Sequence, residues 1–222
     1  MLNWLQRIGG ESGGLREIHT QFLQMLQDGR HIFDAATNCL LGGTDSSVIR
    51  EDLFLTDQRI NATEQLIRRE IVVHGSIHGA ATFPALLVMM SLVKDAERIG
   101  DYGKNIFGMA HEGAEIDDEK LHGELVVLKD QISTLLVRAH GLFDSRDDGR
   151  AHTFLEDTHT VERMCDERVG EMLKVTDRNM AAMVLAYRYF KRVASHTGNI
   201  VTSLVMPIDK LDYFPGKTSA EQ

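Results

Sequence analysis

Lys94-Asp-Ala-Glu-Arg-Ile-Gly-Asp-Tyr-Gly-Lys-Asn-Ile106 decides how this chain is read, because a worn copy, Phe190-Lys-Arg-Val-Ala-Ser-His-Thr-Gly-Asn-Ile200, returns near the C-terminus. Each copy carries an arginine (Arg98, Arg192) with a small residue two positions on (Gly100, Ala194), and each closes on Asn-Ile. Such a repeat says that one supersecondary unit has been used twice. Leu, Ala, Glu, Arg and Met, all strong helix formers, surround both copies, and alternating β-branched runs are scarce.

Working outward from the two copies, apolar residues recur at helical spacing. Ile18, Phe22, Met25, Leu26, Ile32, Phe33 and Leu40 predict a first helix over 15–41, stopped by Gly42-Gly43. Thr44 or Asp45 can cap a second, which carries Ile49, Leu53, Ile60, Leu66, Ile67 and Ile71 to about residue 74. Gly75-Ser-Ile-His-Gly79 reads as a turn, and Pro84 suits the first turn of a third helix running to residue 109. Asp117-Asp118 can open a fourth over 121–143. A fifth follows over 151–175, and a sixth runs from residue 177 to 205, where Pro207 ends it. The expectation is an all-α fold of six long helices in two tandem three-helix bundles, 15–112 and 117–207. A lead-in over 1–14 and a tail over 208–222 flank them; 211–215 is apolar enough to pack on the body, and 216–222 is expected to be disordered.

The net charge is −9 and basic residues do not cluster, which argues against nucleic acid or an anionic membrane as a partner. Cys39 and Cys165 stand alone in Leu/Met-rich helical contexts and read as buried thiols of a reducing compartment. The first ten residues lack the apolar core of a signal peptide, and no apolar run approaches the roughly 18 residues of a membrane helix. A cytoplasmic location is expected. Trp4-Leu5 and Tyr213-Phe214, with an exposed stripe on a long helix, suggest a two-fold homodimer.

The chemistry concentrates in the first copy. Glu97 and Asp101, one helical turn apart, project from one face, and two like charges there are eased by a cation between them. Asp57, Asn61 and Glu64 form a second oxygen-bearing stripe on the preceding helix. Together these five residues are candidate ligands for a hard or borderline ion: iron, Mn, Mg, Ca or Zn. In the second copy Lys191 and Ser195 replace Glu97 and Asp101, while Glu162-x-x-x-Asp166 survives on the fifth helix. Lys191 or Arg192 is expected to pair with those acids in place of a bound cation; His159 and His196 are weaker ligand candidates. The chain has no Gly-x-x-x-x-Gly-Lys-Ser/Thr loop, no Gly-x-Ser-x-Gly elbow and no His-Glu-x-x-His.

Asp57-x-x-x-Asn61-x-x-Glu64, then Glu97-Arg98-Ile99-Gly100-Asp101 with Asn105-Ile106, in a duplicated three-helix layout over 15–207, resembles the PhoU family of phosphate-response regulators. The resemblance implies two-bundle cytoplasmic proteins that couple phosphate uptake by a transporter to a sensor histidine kinase. Some of them bind multinuclear metal through acidic-x-x-x-Asp motifs. For this chain it implies a non-enzymatic regulator or adaptor, partnered by a phosphate transporter component or a sensor histidine kinase and touching the membrane only through that partner. An accessory subunit of a secondary phosphate transporter is the alternative of the same class. A carboxylate-bridged dimetal enzyme is the alternative of another class.

Overall fold

A computed structural model describes residues 13–145, 147–176 and 178–213. Among these residues six helices follow one another: α1 Gly13–Gly42, α2 Ser46–His78, α3 Phe83–His111, α4 Glu119–Ser145, α5 Ala151–Met172 and α6 Ala181–Val205. Short 3-10 turns, Gly79–Ala81 and Ile208–Lys210, follow α2 and α6. The described residues contain no strand, so the all-α, six-helix expectation holds.

The boundaries follow local chemistry. Asp45 caps α2 by accepting from the Ser47 amide at 2.8 Å, and Asp118 accepts from the Leu121 amide at 2.9 Å at the head of α4. Pro84 sits in the first turn of α3, where its missing N–H costs nothing. The turn expected over 75–79 is instead helical, and α2 runs on to His78. Gly75 serves as a point of close approach rather than a break: a Cβ there would lie 3.2 Å from both the Phe83 ring and Leu86. The chain turns at Gly79, whose φ of 69° is the left-handed region that favours glycine.

The two helical triplets lie along one another and share one buried core that runs from Leu15 to Val201. α1 packs on α2, α3 and α4, while α6 packs on α3, α4 and α5. Ring contacts fasten the halves together, with Phe22 on Phe143 at 4.8 Å and Phe33 on Phe190 at 5.4 Å. Leu211 packs against this core, as expected of the tail, whereas Tyr213 is exposed. Trp4, Leu5 and Phe214, and the segment 216–222, lie outside the described residues. Among the described helices none is long and apolar enough to cross a membrane.

α1 and α3 approach most closely, and glycines permit it. A Cβ on Gly103 would stand 2.6 Å from Ile32 Cγ2 and 3.3 Å from the Phe33 amide nitrogen, and one on Gly29 would stand 2.9 Å from Ile99 Cγ2. Gly103→Ala should therefore force the helices apart and destabilise the protein by about 1–3 kcal/mol. Gly108→Ala, in the same helix with open space around it, should be neutral or stabilise by up to about 1 kcal/mol. Urea midpoints of the two variants check the contrast, and equal effects would overturn it.

Candidate functional site

α2 and α3 run antiparallel, and Leu53, Ile60, Ile67 and Ile71 of α2 are buried on the core side. Along the edge of this seam α2 brings Asp57, Asn61 and Glu64, spaced by four and three residues so that they share a face. α3 brings Glu97, Asp101 and Lys104 with the same spacing, beside the buried Ile99, Gly100 and Gly103. The five residues expected to hold a metal are thus on the two facing helices. The side chain that joins them is Lys104, to which the sequence reading gave no place among the ligands.

Lys104 Nζ lies 2.9 Å from Asp57 Oδ1 and 3.0 Å from Asp101 Oδ1, bridging the two helices. Asn61 Nδ2 donates to Asp57 Oδ2 at 3.3 Å. Arg98 reaches Asp101 at 3.0 Å and Glu97 at 3.6 Å, and Arg68 holds Glu64 at 2.7 Å. Burial works to lower the Lys104 ammonium, but its bonds to Asp57 and Asp101 outweigh this and raise its pKa. Burial likewise pushes Asp101 upward, yet hydrogen bonds from Lys104 and Glu97, and the charges of Lys104 and Arg98, hold it below the ordinary range. Glu97 takes the opposite course. Burial first, then its hydrogen bond to Asp101 and that carboxylate's charge, push it up to about 7. Arg98 opposes the rise and Glu64 adds to it. The cluster therefore shares a proton between Glu97 and Asp101 and holds an ammonium between Asp101 and Asp57.

An ammonium stands between the two aspartates, Glu64 is engaged by Arg68, and burial beside Asp101 raises Glu97 to about 7. Among the described residues no group of three or more His, Cys, Asp or Glu converges to hold a metal.

The second triplet repeats the plan with different residues. Lys191 of α6 pairs with Asp166 of α5, which Arg188 also approaches at 3.5 Å. The Ser195 hydroxyl donates to the buried Glu162, and His159 Nε2 lies 4.0 Å from the same carboxylate. Lys191 thus takes the partner expected of it, whereas Arg192 turns to the other half of the molecule. Its Nε donates to the Tyr102 hydroxyl at 3.1 Å, and its guanidinium lies 5.5 Å over the Tyr102 ring.

Between the halves sits a buried polar group that the sequence reading missed. Asp95 Oδ1 of α3 lies 2.7 Å from His196 Nδ1 and accepts from Asn199 Nδ2 at 3.1 Å, both on α6. Arg192 approaches His196 Nε2 at 3.2 Å, and Tyr102 stacks on the imidazole at 5.6 Å. One signal was available in the sequence: Asp95 precedes Ile99 by four residues and so belongs to the buried stripe of α3. Farther away, α4 and α5 touch sparsely and leave a cleft of about 490 Å³, where Arg168 holds Glu124 at 2.8 Å and Tyr187 donates to that carboxylate at 3.3 Å.

Two expected outcomes follow from the first cluster. With Glu97 raised from 4.5 to about 7, the folded state keeps a proton that the unfolded chain has released, so that contribution to stability is lost as the pH rises through that window. Glu97→Gln, a permanent mimic of the neutral acid, should raise the Tm near pH 8 relative to the native chain and change it little near pH 5. Equal differences at both pH values would remove Glu97 as the proton holder. Lys104→Met leaves Asp57, mostly buried, facing Asp101 without its cation, and should cost roughly 1–3 kcal/mol in urea melts. A loss no larger than that of an exposed lysine such as Lys120 would count against the bridge.

Residues 22–109 match the family model of the PhoU domain. No curated protein matches the chain. PhoU from Pseudomonas aeruginosa superposes with a TM-score of 0.74 at 20% identity, covering 86% of this chain and 95% of that one. The phosphate transport system regulatory protein PhoU from Streptococcus pneumoniae superposes with a TM-score of 0.66 at 17% identity, covering 85% of this chain and 93% of that one. At such identities the superpositions establish the fold, and the family match falls on the segment that holds Asp57, Asn61, Glu64, Glu97, Asp101 and Lys104. Residues 22–109 are thus similar to the PhoU domain, and the chain shares the fold of the solved PhoU proteins.

Proposed function

We propose that this chain is a non-enzymatic regulator of phosphate uptake or phosphate-responsive signalling, working in the cytoplasm as an adaptor on a phosphate transporter component or on a sensor histidine kinase. The observation that carries the reading is the match of residues 22–109 to the PhoU domain within a fold that follows PhoU proteins over most of its length. The chemistry of the seam between α2 and α3 is in keeping with it. Its carboxylates are neutralised by Lys104, Arg98 and Arg68 and by a shared proton, an arrangement that stiffens two helices rather than one that activates water or a nucleophile.

Deleting the gene in its own cell and following radiolabelled phosphate uptake together with a phosphate-responsive reporter tests the reading. A regulator of signalling changes the reporter's response to phosphate by several-fold, and that change disappears when the kinase is also deleted. An accessory subunit of a secondary transporter changes uptake alone. Uptake and reporter both unchanged, in phosphate-rich and phosphate-poor medium, would overturn the proposal.

A further inference from the structure

The tip where α2 turns into α3 is apolar and uncharged. From residue 71 to residue 93 the chain carries no Asp, Glu, Lys or Arg. Burial, then the neighbouring His78, hold the His74 imidazole below its usual pKa, so it stays neutral near physiological pH. Val72, Val73 and Ile77 of α2 and Phe83 and Leu87 of α3 are exposed all the same, Ile77 by 69%. Five of the fifteen exposed large hydrophobic side chains among the described residues thus fall within residues 72–87, a patch rather than a scatter. The corresponding turn from α5 to α6 carries Lys174, Asp177 and Arg178 beside the exposed Leu173. The apolar tip belongs to the first triplet alone and is not a general consequence of the fold.

The point where the described chain begins suggests what covers it. α1 starts at Gly13, and a Cβ on Gly14 would stand 3.1 Å from His74 Nδ1, so the head of α1 lies against the last turns of α2. At about 100° per residue, Val73 and Ile77 lie roughly 100° and 60° round α2 from His74, on the side opposite Gly75 and the Phe83 ring. Residues 1–12 therefore join the body beside Val73 and Ile77. In their sequence Met1, Trp4, Leu5 and Ile8 recur at i, i+3, i+4 and i+7, with Asn3, Gln6 and Arg7 between them. Gly9-Gly10-Glu11-Ser12 follows, a link that spans about 13 Å when extended at roughly 3.3 Å per residue. Eight residues of helix measure about 12 Å, enough to cross a helix about 10 Å wide. We propose that residues 1–8 form an amphipathic segment that crosses the last turns of α2 in cis, with Ile8 and Leu5 on Val73 and Ile77 and with Trp4 and Met1 on Val72 and Phe83.

The segment and the tip need each other. Two turns of helix are too short to be stable in water alone, so the stretch folds only on a surface. A short tether holds it beside the tip at an effective concentration in the millimolar range, which a second copy or a separate partner at micromolar concentration does not match. A bilayer fits the tip less well. His19 Nε2 of α1 lies 3.4 Å from the Phe143 carbonyl, so the turn from α4 to α5 stands at the same end of the molecule, with Asp144 and Asp148 exposed. Those carboxylates would face the anionic headgroups of a membrane.

Trp4 is the chain's one tryptophan, so its fluorescence reads this segment alone. On the full untagged chain its emission should lie to the blue of free tryptophanamide, and acrylamide should quench it several-fold less. Ile77→Lys and Val72→Lys place a cation near the C-terminus of α2, where the helix favours one, and should keep the native Tm. Each should nonetheless move the Trp4 emission to the red and raise its quenching several-fold. Val127→Lys, similarly exposed on α4, should change neither. Leu5→Cys combined with Ile77→Cys should close a disulfide within one chain; the native Cys39 and Cys165 are buried and should stay silent. A Trp4 quenched as freely as tryptophanamide, or one equally shielded in Ile77→Lys, Val72→Lys and the native chain, would overturn the proposal. Shielding that grows with protein concentration, with the disulfide formed between chains, would give the tip to a second copy and overturn it too. So would flotation of the native chain with phosphatidylcholine vesicles, which would give the tip to a membrane. None of these readouts depends on phosphate, so this contact and the regulatory reading fail or stand separately.

Discussion

The fold depends on how closely α3 can lie on α1. Ile32 seats on Gly103 and Ile99 seats on Gly29, so each helix supplies a branched side chain to a gap in the other. Gly100 does the same for Ile60 of α2, whose Cδ1 would be 2.9 Å from a Cβ there. Two glycines three residues apart in a helix interior cost up to about 1 kcal/mol each relative to alanine. What offsets that cost is the burial of Ile32, Phe33, Ile60 and Ile99, all at 1% exposure or less. Because α3 is drawn in to this distance, its polar edge is carried within reach of α2, and Lys104 can span the seam to Asp57.

The charges at that seam have to be neutralised locally, since they sit at the border of a core with little water. The first triplet does so with Lys104, Arg98, Arg68 and a retained proton. The second does so with Lys191 and Arg188, and with the Ser195 hydroxyl where the first has Asp101. The lysine comes from a different position in each repeat. Lys104 aligns with Gly198, and Lys191 aligns with Glu97. What the two triplets share is therefore not a residue position but a device: a lysine of the third helix reaches an aspartate of the second.

The helical count, the Asp45 cap and the Pro84 start were legible in the sequence, because caps and 3.6-residue periodicity are local signals. Legible too was that Gly100 and Gly103 mark a close helix approach, since a helix interior otherwise avoids glycine. Gly75 obeyed the same logic yet read as a turn, because Gly79 and Ser76 nearby imitate loop composition; only the Phe83 ring packed over it tells the two apart. The carboxylates of the candidate site were found by their spacing. The reach of Lys104 across to Asp57 was not, because pairing with the preceding helix is a tertiary fact. Asp95 was missed for a similar reason, as its partners His196 and Asn199 lie a hundred residues away in the chain.

α3 holds these features in one rigid piece. Its Gly103 faces α1, its Gly100, Asp101 and Lys104 face α2, and its Asp95 and Tyr102 face α6. Asp95 and Asp101 are six residues apart, which on an α-helix places them on different faces about a third of a turn apart. A helix packed this tightly does not bend to adjust one face at a time. A change of charge at the α2 seam, such as loss of the Glu97 proton, must be absorbed by the seam itself or passed as a rigid displacement to the Asp95–His196 contact with α6. The shared core makes the second course costly, since it would disturb Phe33 against Phe190 and Phe22 against Phe143 together. The outer helix α2 has its remaining face open to solvent and is the element with room to yield.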